Sequence, residues 1–132
     1  MTLAPLLEAS PAIQLHAFAA MGAFVLGLTQ FALPKGTFRH RVAGGIWVAL
    51  MLTVCVSSFF INQIRLWGEW SPIHLLSIFT LVMLPLAVWF AHRHAVDRHK
   101  WTMAGIFLGA LVIAGIFTFV PGRIMHAVVF GP

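Results

Sequence analysis

Seven histidines, in a chain that has no tyrosine, are the side chains best suited to carry chemistry in this sequence. Imidazole is the commonest protein ligand for metals, and it also ligates haem iron. His16 and His74 lie inside long apolar runs, where an ionisable side chain is costly and is therefore a candidate for function. His40 and His99 each lie at the start of another such run. The sequence therefore predicts a ligand site if the surrounding elements bring these rings together.

The composition excludes most soluble classes of protein. Of the 132 residues, 61% are hydrophobic and 8% are charged, whereas a soluble domain averages about 45–50% apolar and about 25% charged residues. So few charges cannot cover a water-facing domain, and the single cysteine, Cys55, cannot form an intramolecular disulfide. The basic residues form no helix face, which argues against nucleic-acid binding. We therefore expect an integral membrane protein in a lipid bilayer.

Four apolar runs define the predicted fold. Each is close to the ~20 residues that span a bilayer as a helix, and together they cover residues 12–33, 42–64, 72–91 and 102–120. We predict an all-α fold, in which residues 1–132 form a single integral membrane four-helix up-down-up-down bundle with a short tail at 121–132. Thr37 and Ser71 are candidate N-caps, and Pro85 is expected to kink the third helix.

The basic residues predict how the bundle is oriented. Six of the eight Lys and Arg residues lie in the loops 34–41 and 92–101, while Arg65 and Arg123 lie on the other side. Cytoplasmic loops carry an excess of Lys and Arg, so we expect these two loops in the cytoplasm and both termini on the outer face. The predicted localisation is the bacterial inner membrane, which the chain crosses several times.

The predicted topology pairs the histidines by depth. The first and third helices of such a bundle are parallel and diagonal, as are the second and fourth. His16 and His74 then lie at nearly the same depth near the outer side, and His40 and His99 lie at matching depths near the inner side. Two imidazoles that meet across the bundle axis can ligate the iron of haem b from both faces of the macrocycle. We predict one or two haems, held by His16 with His74 and by His40 with His99, with His94 as a substitute for His99.

The residues around these histidines fit a planar cofactor. On the first helix the face of His16 continues through small side chains and a glutamine, namely Ala19, Ala20, Ala23, Gly27 and Gln30. That face leaves room either for a macrocycle or for close packing of helices. The haem propionates would pair with basic residues, which are Arg39 and Arg41 on the inner side and Arg123 or Arg65 on the outer side.

The established catalytic constellations are absent from the sequence. The three acids are Glu8, Glu69 and Asp97, and all lie outside the predicted spans. The chain therefore has no Ser-His-Asp set and no paired carboxylates. It also lacks the intramembrane acid that a proton or ion pump normally needs.

Two further patterns concern the second and fourth helices. Cys55, Ser58 and Asn62 fall on roughly one side of the second helix, where a small polar pocket could admit a quinone headgroup. Gly105 and Gly109 form a GxxxG pattern on the fourth helix, which indicates helix packing rather than cofactor binding.

Five segments spread over nearly the whole chain combine generic apolar residues with recurring polar ones. They read L-H-A-F-A-A at 15–20, P-K-G-T-F-R-H-R at 34–41, S-S-F-F-I at 57–61, S-P-I-H-L-L-S at 71–77 and A-G-I-F-T-F-V-P-G-R at 114–123. Together they resemble the bacterial family of small predicted membrane proteins catalogued as domain of unknown function 2306. The resemblance implies a four-helix membrane protein and brings no ligand residues with it. The layout is also similar to four-helix membrane cytochromes b, which hold two haems by histidines at opposite ends of the bundle.

Three functions remain open from the sequence. The first is electron transfer by a haem b protein, or by the electron-transfer subunit of an oxidoreductase, linked to quinol or to a partner subunit. The short loops leave little room for a substrate domain, so a partner membrane complex or a homo-oligomer is expected. The second is a cofactor-free accessory or assembly subunit of a larger complex. The third is a metal or small-solute permease with His92, His94 and His99 as its loading site.

Overall fold

The described part of the chain folds almost entirely into helices. The structure, a computed structural model, describes residues 2–61, 72–121 and 123–131. The α-helices are α1 (Ala4–Leu7), α2 (Pro11–Ala32), α3 (Phe38–Ser58), α4 (Pro72–His92), α5 (Val96–Ile106), α6 (Ala114–Phe117) and α7 (Ile124–Phe130). A π-helical segment, Phe107–Ile113, joins α5 to α6. The predicted all-α class is confirmed.

Four helical stretches are long and apolar enough to cross a membrane, as the sequence predicts. They are Pro11–Ala32, Phe38–Ser58, His74–His92 and Val96–Phe117. The fourth contains α5, the π-helical segment and α6, and it begins at Val96 rather than at residue 102 as predicted. The reason is that Val96, Asp97 and the basic residues that follow already have helical geometry. His99 therefore lies within the first turns of a helix rather than at the edge of a loop.

Local capping fixes where two of the spans begin. The hydroxyl of Thr37 accepts a hydrogen bond from the backbone N–H of His40 at 3.2 Å, so the predicted N-cap of α3 is confirmed. The hydroxyl of Ser10 caps α2 in the same way, because it accepts a hydrogen bond from the backbone N–H of Ile13. The other predicted cap, Ser71, lies outside the described residues. Helix α4 continues through Pro85.

The spans pack in chain order around a ring. Helix α2 contacts α3, α3 contacts α4, α4 contacts α5, and the π-helical segment closes the ring against α2. Consequently α2 and α4 are diagonal, and so are α3 and α5, as the up-down-up-down prediction requires. At one end of the bundle α1 packs against α7, and the backbone N–H of Thr2 donates to the carbonyl of Val128 at 3.0 Å. We call this the terminal end, and we call the opposite end, with the turns at 33–37 and 93–95, the loop end.

Two aromatic side chains, Trp47 and Phe107, are buried in the centre of the bundle. Trp47 is buried, and its indole N–H donates to the carbonyl of Ala23 at 3.0 Å. The ring of Phe107 stacks on Phe24 with a centroid distance of 5.6 Å and meets Phe31 edge-on at 5.2 Å. Met51, Leu84, Ala87, Ile106 and Leu111 complete the buried cluster. This packing separates the interior into a terminal half and a loop half.

The outside of the bundle is strongly apolar. Val25, Val82 and Ile116, for example, are exposed to 64%, 63% and 64%. In water such a surface would be a liability, but the hydrocarbon tails of a bilayer solvate it. Burial of apolar side chains therefore cannot by itself drive the spans together, so close contacts and interhelical hydrogen bonds become important.

Candidate functional site

His16 is held in one orientation by helix α3. Its Nδ1 lies 2.9 Å from the carbonyl oxygen of Val54 and 3.1 Å from the hydroxyl oxygen of Ser57. A carbonyl oxygen only accepts, so Nδ1 carries the proton and donates to it. The Nε2 atom of the neutral ring then carries the lone pair. This is the arrangement in which a histidine is oriented as a metal ligand, with its second nitrogen bonded to a backbone carbonyl.

A cavity of about 600 Å³ occupies the terminal half of the bundle, and His16 is part of its wall. Most of the wall is apolar. The polar groups on it are few: His16, Ser77, Thr80, Thr118 and Arg123, with the thiol of Cys55. Arg123 is half-buried at this wall, immediately before α7. The predicted outer residues His16 and Arg123 therefore line one cavity.

His74 lies on the inward face of the helix diagonal to that of His16. Its side chain is 2% exposed, and its ring packs against Phe59 with a centroid distance of 5.7 Å. Further along the same face, Ser77 and Thr80 are buried and line the cavity, whereas His74 is not among the described residues of the wall. The structure thus turns both predicted outer histidines inward in the terminal half, with only His16 in contact with the cavity.

Serine hydroxyls link α3 to α4 beside the cavity. The side chains of Ser58 and Ser77 are hydrogen-bonded to each other, and Ser58 also donates to the carbonyl of Cys55 at 2.6 Å. Of the predicted polar pocket, Cys55 lines the cavity and Ser58 is buried beside it. The third member, Asn62, lies outside the described residues.

At the loop end, His99 is hydrogen-bonded to α4 and Gln30 is hydrogen-bonded to α3. The Nδ1 of His99 donates to the carbonyl of Ala87 at 2.8 Å, which leaves its Nε2 unprotonated in the neutral ring. Gln30 donates to the carbonyl of His40 at 2.9 Å. The Oε1 of Gln30 and the Nδ1 of His40 are buried and have no hydrogen-bond partner among the described residues.

The remaining basic side chains at the loop end lie mostly at the surface. Arg39 and Arg41 are exposed, and so is His94, which occupies a turn with φ of 58°. His92 borders a separate groove of about 330 Å³ between α3 and α4. Within the described residues, no group of three or more His, Cys, Asp or Glu side chains converges. Arg65 lies outside the described residues.

The small-residue face of α2 has two roles along its length. Around Gly27 it is a packing surface, because a Cβ there would lie 2.5 Å from the ring of Phe107 and 3.1 Å from the indole nitrogen of Trp47. Towards the terminal end, Ala17 and Ala20 line the cavity. Close packing therefore occurs on this face around Gly27, whereas Ala20 borders the cavity.

A family model for a "predicted membrane protein", domain of unknown function 2306, matches residues 13–129. The chain belongs to this family. Neither the curated proteins nor the solved structures contained a match. Membership of the domain 2306 family agrees with the four spans and assigns no activity. The chemistry of this family member must therefore be argued from its own side chains.

One feature of this domain 2306 protein was not predicted from the sequence, and one predicted feature differs from the structure. The π-helical segment Phe107–Ile113 has no sequence signal that we recognised, yet its residues Ala110, Leu111 and Val112 line the cavity. Wide π turns are rare and occur frequently at functional sites. Gly105 and Gly109 do not mediate contacts between helices of this chain, because a Cβ at either position would meet no described atom within 4 Å.

Proposed function

We propose that this domain 2306 protein binds haem b and transfers electrons within the bacterial inner membrane. His16 on α2 and His74 on α4 would hold the iron of the proposed haem through their imidazole nitrogens. One observation carries the proposal most directly. The Nδ1 of His16 is fixed by the carbonyl of Val54 at 2.9 Å, and the ring lines a cavity of about 600 Å³.

The cavity fits the chemistry of this group. Small-molecule sites have volumes of about 300–1,000 Å³, mostly apolar walls and few polar groups. Here the apolar wall would pack against the macrocycle, and the guanidinium of Arg123 would pair with a propionate. Buried His74 is on the inward face of the diagonal helix, one turn before Ser77 on the cavity wall. Haem b, when bound, supplies one-electron transfer; the chain orients the ligand ring and excludes water.

The proposal extends to a second haem at the loop end. His99 is oriented by the carbonyl of Ala87 as His16 is by Val54, and His40 lies near the start of the diagonal helix α3 at the same end. Arg39 and Arg41 are exposed at the same end and available to propionates. About 17 residues of helix separate the level of His16 from the turn after α2, which is about 25 Å. Two haems at opposite ends would let electrons cross most of the bilayer.

The distribution of charge supports the proposed orientation. Lys35, Arg93, Arg98 and Lys100 are exposed at the loop end together with Arg39 and Arg41. By the positive-inside rule this end faces the cytoplasm and both termini face outwards. The proposed electron partners are quinol, a partner membrane subunit or a second copy of the chain.

A visible-light spectrum tests the function. The protein is expressed in haem-replete cells and purified in mild detergent. Its reduced-minus-oxidised and pyridine haemochrome spectra are then recorded. We expect the Soret and α bands of a bis-histidine haem b, with one or two haems per chain. Protein that is folded but has no Soret band would contradict the proposal and favour a cofactor-free accessory subunit.

A further inference from the structure

The groove of about 330 Å³ between α3 and α4 lies on the outside of the bundle. The residues that line it are Val48 and Leu52 on α3, and Leu84, Pro85, Val88, Trp89 and His92 on α4. Leu52 and Trp89 are 40% and 51% exposed, so the groove is open at the surface of the protein. Both of its sides belong to membrane-spanning helices. The groove therefore faces the lipid of the bilayer.

The groove is apolar along its length and polar at one end. Of the described residues on its wall, only His92 is ionisable. His92 is the last residue of α4, and it lies about 10 Å along the helix axis from Pro85, at 1.5 Å per residue. This polar end coincides with the loop end of the bundle, where the span His74–His92 stops. The groove thus matches a ligand with a hydrocarbon part that ends in a polar head.

Arg93 places a cation beside this polar end. The Cζ of its guanidinium lies 5.3 Å from the centroid of the Trp89 ring, and Trp89 is itself part of the groove wall. This cation–π contact keeps the guanidinium next to the groove. Arg93 is exposed, and a guanidinium presents N–H donors in a fork that matches the oxygens of a phosphate. The head that suits this end of the groove is therefore a phosphate.

The charge of the loop end also selects an anion. The loops 34–41 and 92–101 together carry six Lys and Arg residues and a single acid, Asp97. Basic pockets between membrane-spanning helices bind the heads of anionic lipids. An uncharged lipid would leave the guanidinium without a counter-ion, and inorganic phosphate would leave the apolar groove unfilled. An anionic phospholipid satisfies both parts of the site.

We propose that the groove between α3 and α4 binds one anionic phospholipid of the leaflet at the loop end. An acyl chain lies along Val48, Leu52 and Val88, and the phosphate lies at His92 and Arg93. None of these residues belongs to the proposed haem sites, so the lipid site does not depend on the proposed function.

Two arginines at the loop end provide a matched test of the head. Arg93 lies over a ring of the groove wall, whereas Arg98 lies over Phe90, 5.9 Å from its centroid, and Phe90 is not on the described wall. The full chain in mild detergent is titrated with phosphatidylglycerol or with phosphatidylcholine of the same acyl chains, and native mass spectrometry counts the bound lipid. We expect one saturable site that prefers phosphatidylglycerol. Arg93→Gln should weaken its binding about fivefold, the effect of one base near an anionic headgroup, and Arg98→Gln should leave it unchanged.

Two leucines test the acyl-chain part of the site. Leu52→Trp puts a larger side chain into the groove, whereas Leu28→Trp changes a leucine of α2 that is 49% exposed and is not on the described wall. We expect Leu52→Trp to weaken the binding of phosphatidylglycerol about tenfold and Leu28→Trp to leave it unchanged.

Equal affinity for the two lipids, equal effects of the two arginine variants, or the absence of saturable binding would overturn the proposal. Equal effects of the two tryptophan variants would also overturn it. Circular dichroism shows which variants are folded, and if Leu52→Trp is not, the arginine pair decides by itself.

Discussion

At the scale of single residues, hydrogen bonding distinguishes two of the proposed ligands, His16 and His99, from His126 in the tail. His16 and His99 each donate Nδ1–H to a backbone carbonyl of a neighbouring span, 2.9 Å and 2.8 Å away. His126 instead packs its ring on Phe130 within α7, with a centroid distance of 5.0 Å. Fixing one nitrogen selects the tautomer and aims the other, which is how ligand histidines are positioned.

His16→Ala and His74→Ala should each abolish the haem of the terminal half, because each removes one axial ligand. His126→Ala is the control, since its ring lies in the tail helix. We expect the Soret absorbance per chain to fall to the level of any loop-end haem in the first two variants and to stay unchanged in the third. Full haem content in His16→Ala would exclude His16 as a ligand.

Gly27→Ala should destabilise the bundle by about 1–3 kcal/mol, the typical cost of overpacking a full interior. The added methyl group would lie 2.5 Å from the ring of Phe107. Gly45→Ala is the matched control, because its Cβ would meet no described atom within 4 Å. There we expect no loss, and a gain of up to about 1 kcal/mol from helix propensity. The free energy of unfolding of both variants is measured by SDS titration in mixed micelles, followed by circular dichroism. Equal stability of the two variants would contradict the packing role of Gly27.

At the scale of elements, helix ends depend on local signals and helix interiors on their neighbours. Lys35 donates to the carbonyls of Phe31 and Leu33, which satisfies backbone acceptors at the end of α2. Two residues later Thr37 caps α3. The turn between two spans is thus specified by a few adjacent side chains, and the sequence alone predicts it.

Thr37→Ala should cost about 1 kcal/mol, because the hydroxyl that accepts from the N–H of His40 is lost. Thr37→Ser keeps this acceptor and should retain nearly full stability. The same SDS unfolding curves compare the two variants with the parent. If serine and alanine were equally destabilising, the threonine methyl group rather than the cap would be responsible.

The helical geometry of the fourth span is related to its contacts with other helices as well as to its own sequence. Its apolar length predicts a helix, and a helix forms. The wide turns at Phe107–Ile113 have no counterpart in the apolar pattern. The segment places Phe107 against Gly27 and Leu111 in the core, and it also lines the cavity. Hydrophobic length is a property of one segment, whereas the choice of π over α geometry here is associated with contacts to α2.

At the scale of the whole molecule, the asymmetry of the two ends has consequences for topology. The loop end carries exposed basic residues, and the terminal end carries the two short helices α1 and α7, which pack against each other. This asymmetry supports the proposed orientation, because Lys and Arg are in excess on the cytoplasmic side of a membrane protein.

Cysteine labelling can test the orientation, because Cys55 is the only native cysteine. In a Cys55→Ala background, Glu8→Cys and Asp97→Cys each replace an exposed acid, one at each end. A membrane-impermeant maleimide should label the variant at position 8 in intact spheroplasts, and the variant at position 97 only after permeabilisation. The opposite pattern would place the loop end outside and reverse the proposed orientation.

The sequence by itself determined the membrane class, the number of spans and the cap at Thr37. These depend on apolar length and on local spacing, which are visible along the chain. Only the tertiary structure decided that the carbonyl of Val54 orients His16, that Phe107 fills the face at Gly27, and that His16 and Arg123 line one cavity. Each of these joins residues from different spans, and in lipid such contacts depend on exact packing and hydrogen bonding rather than on hydrophobic pattern.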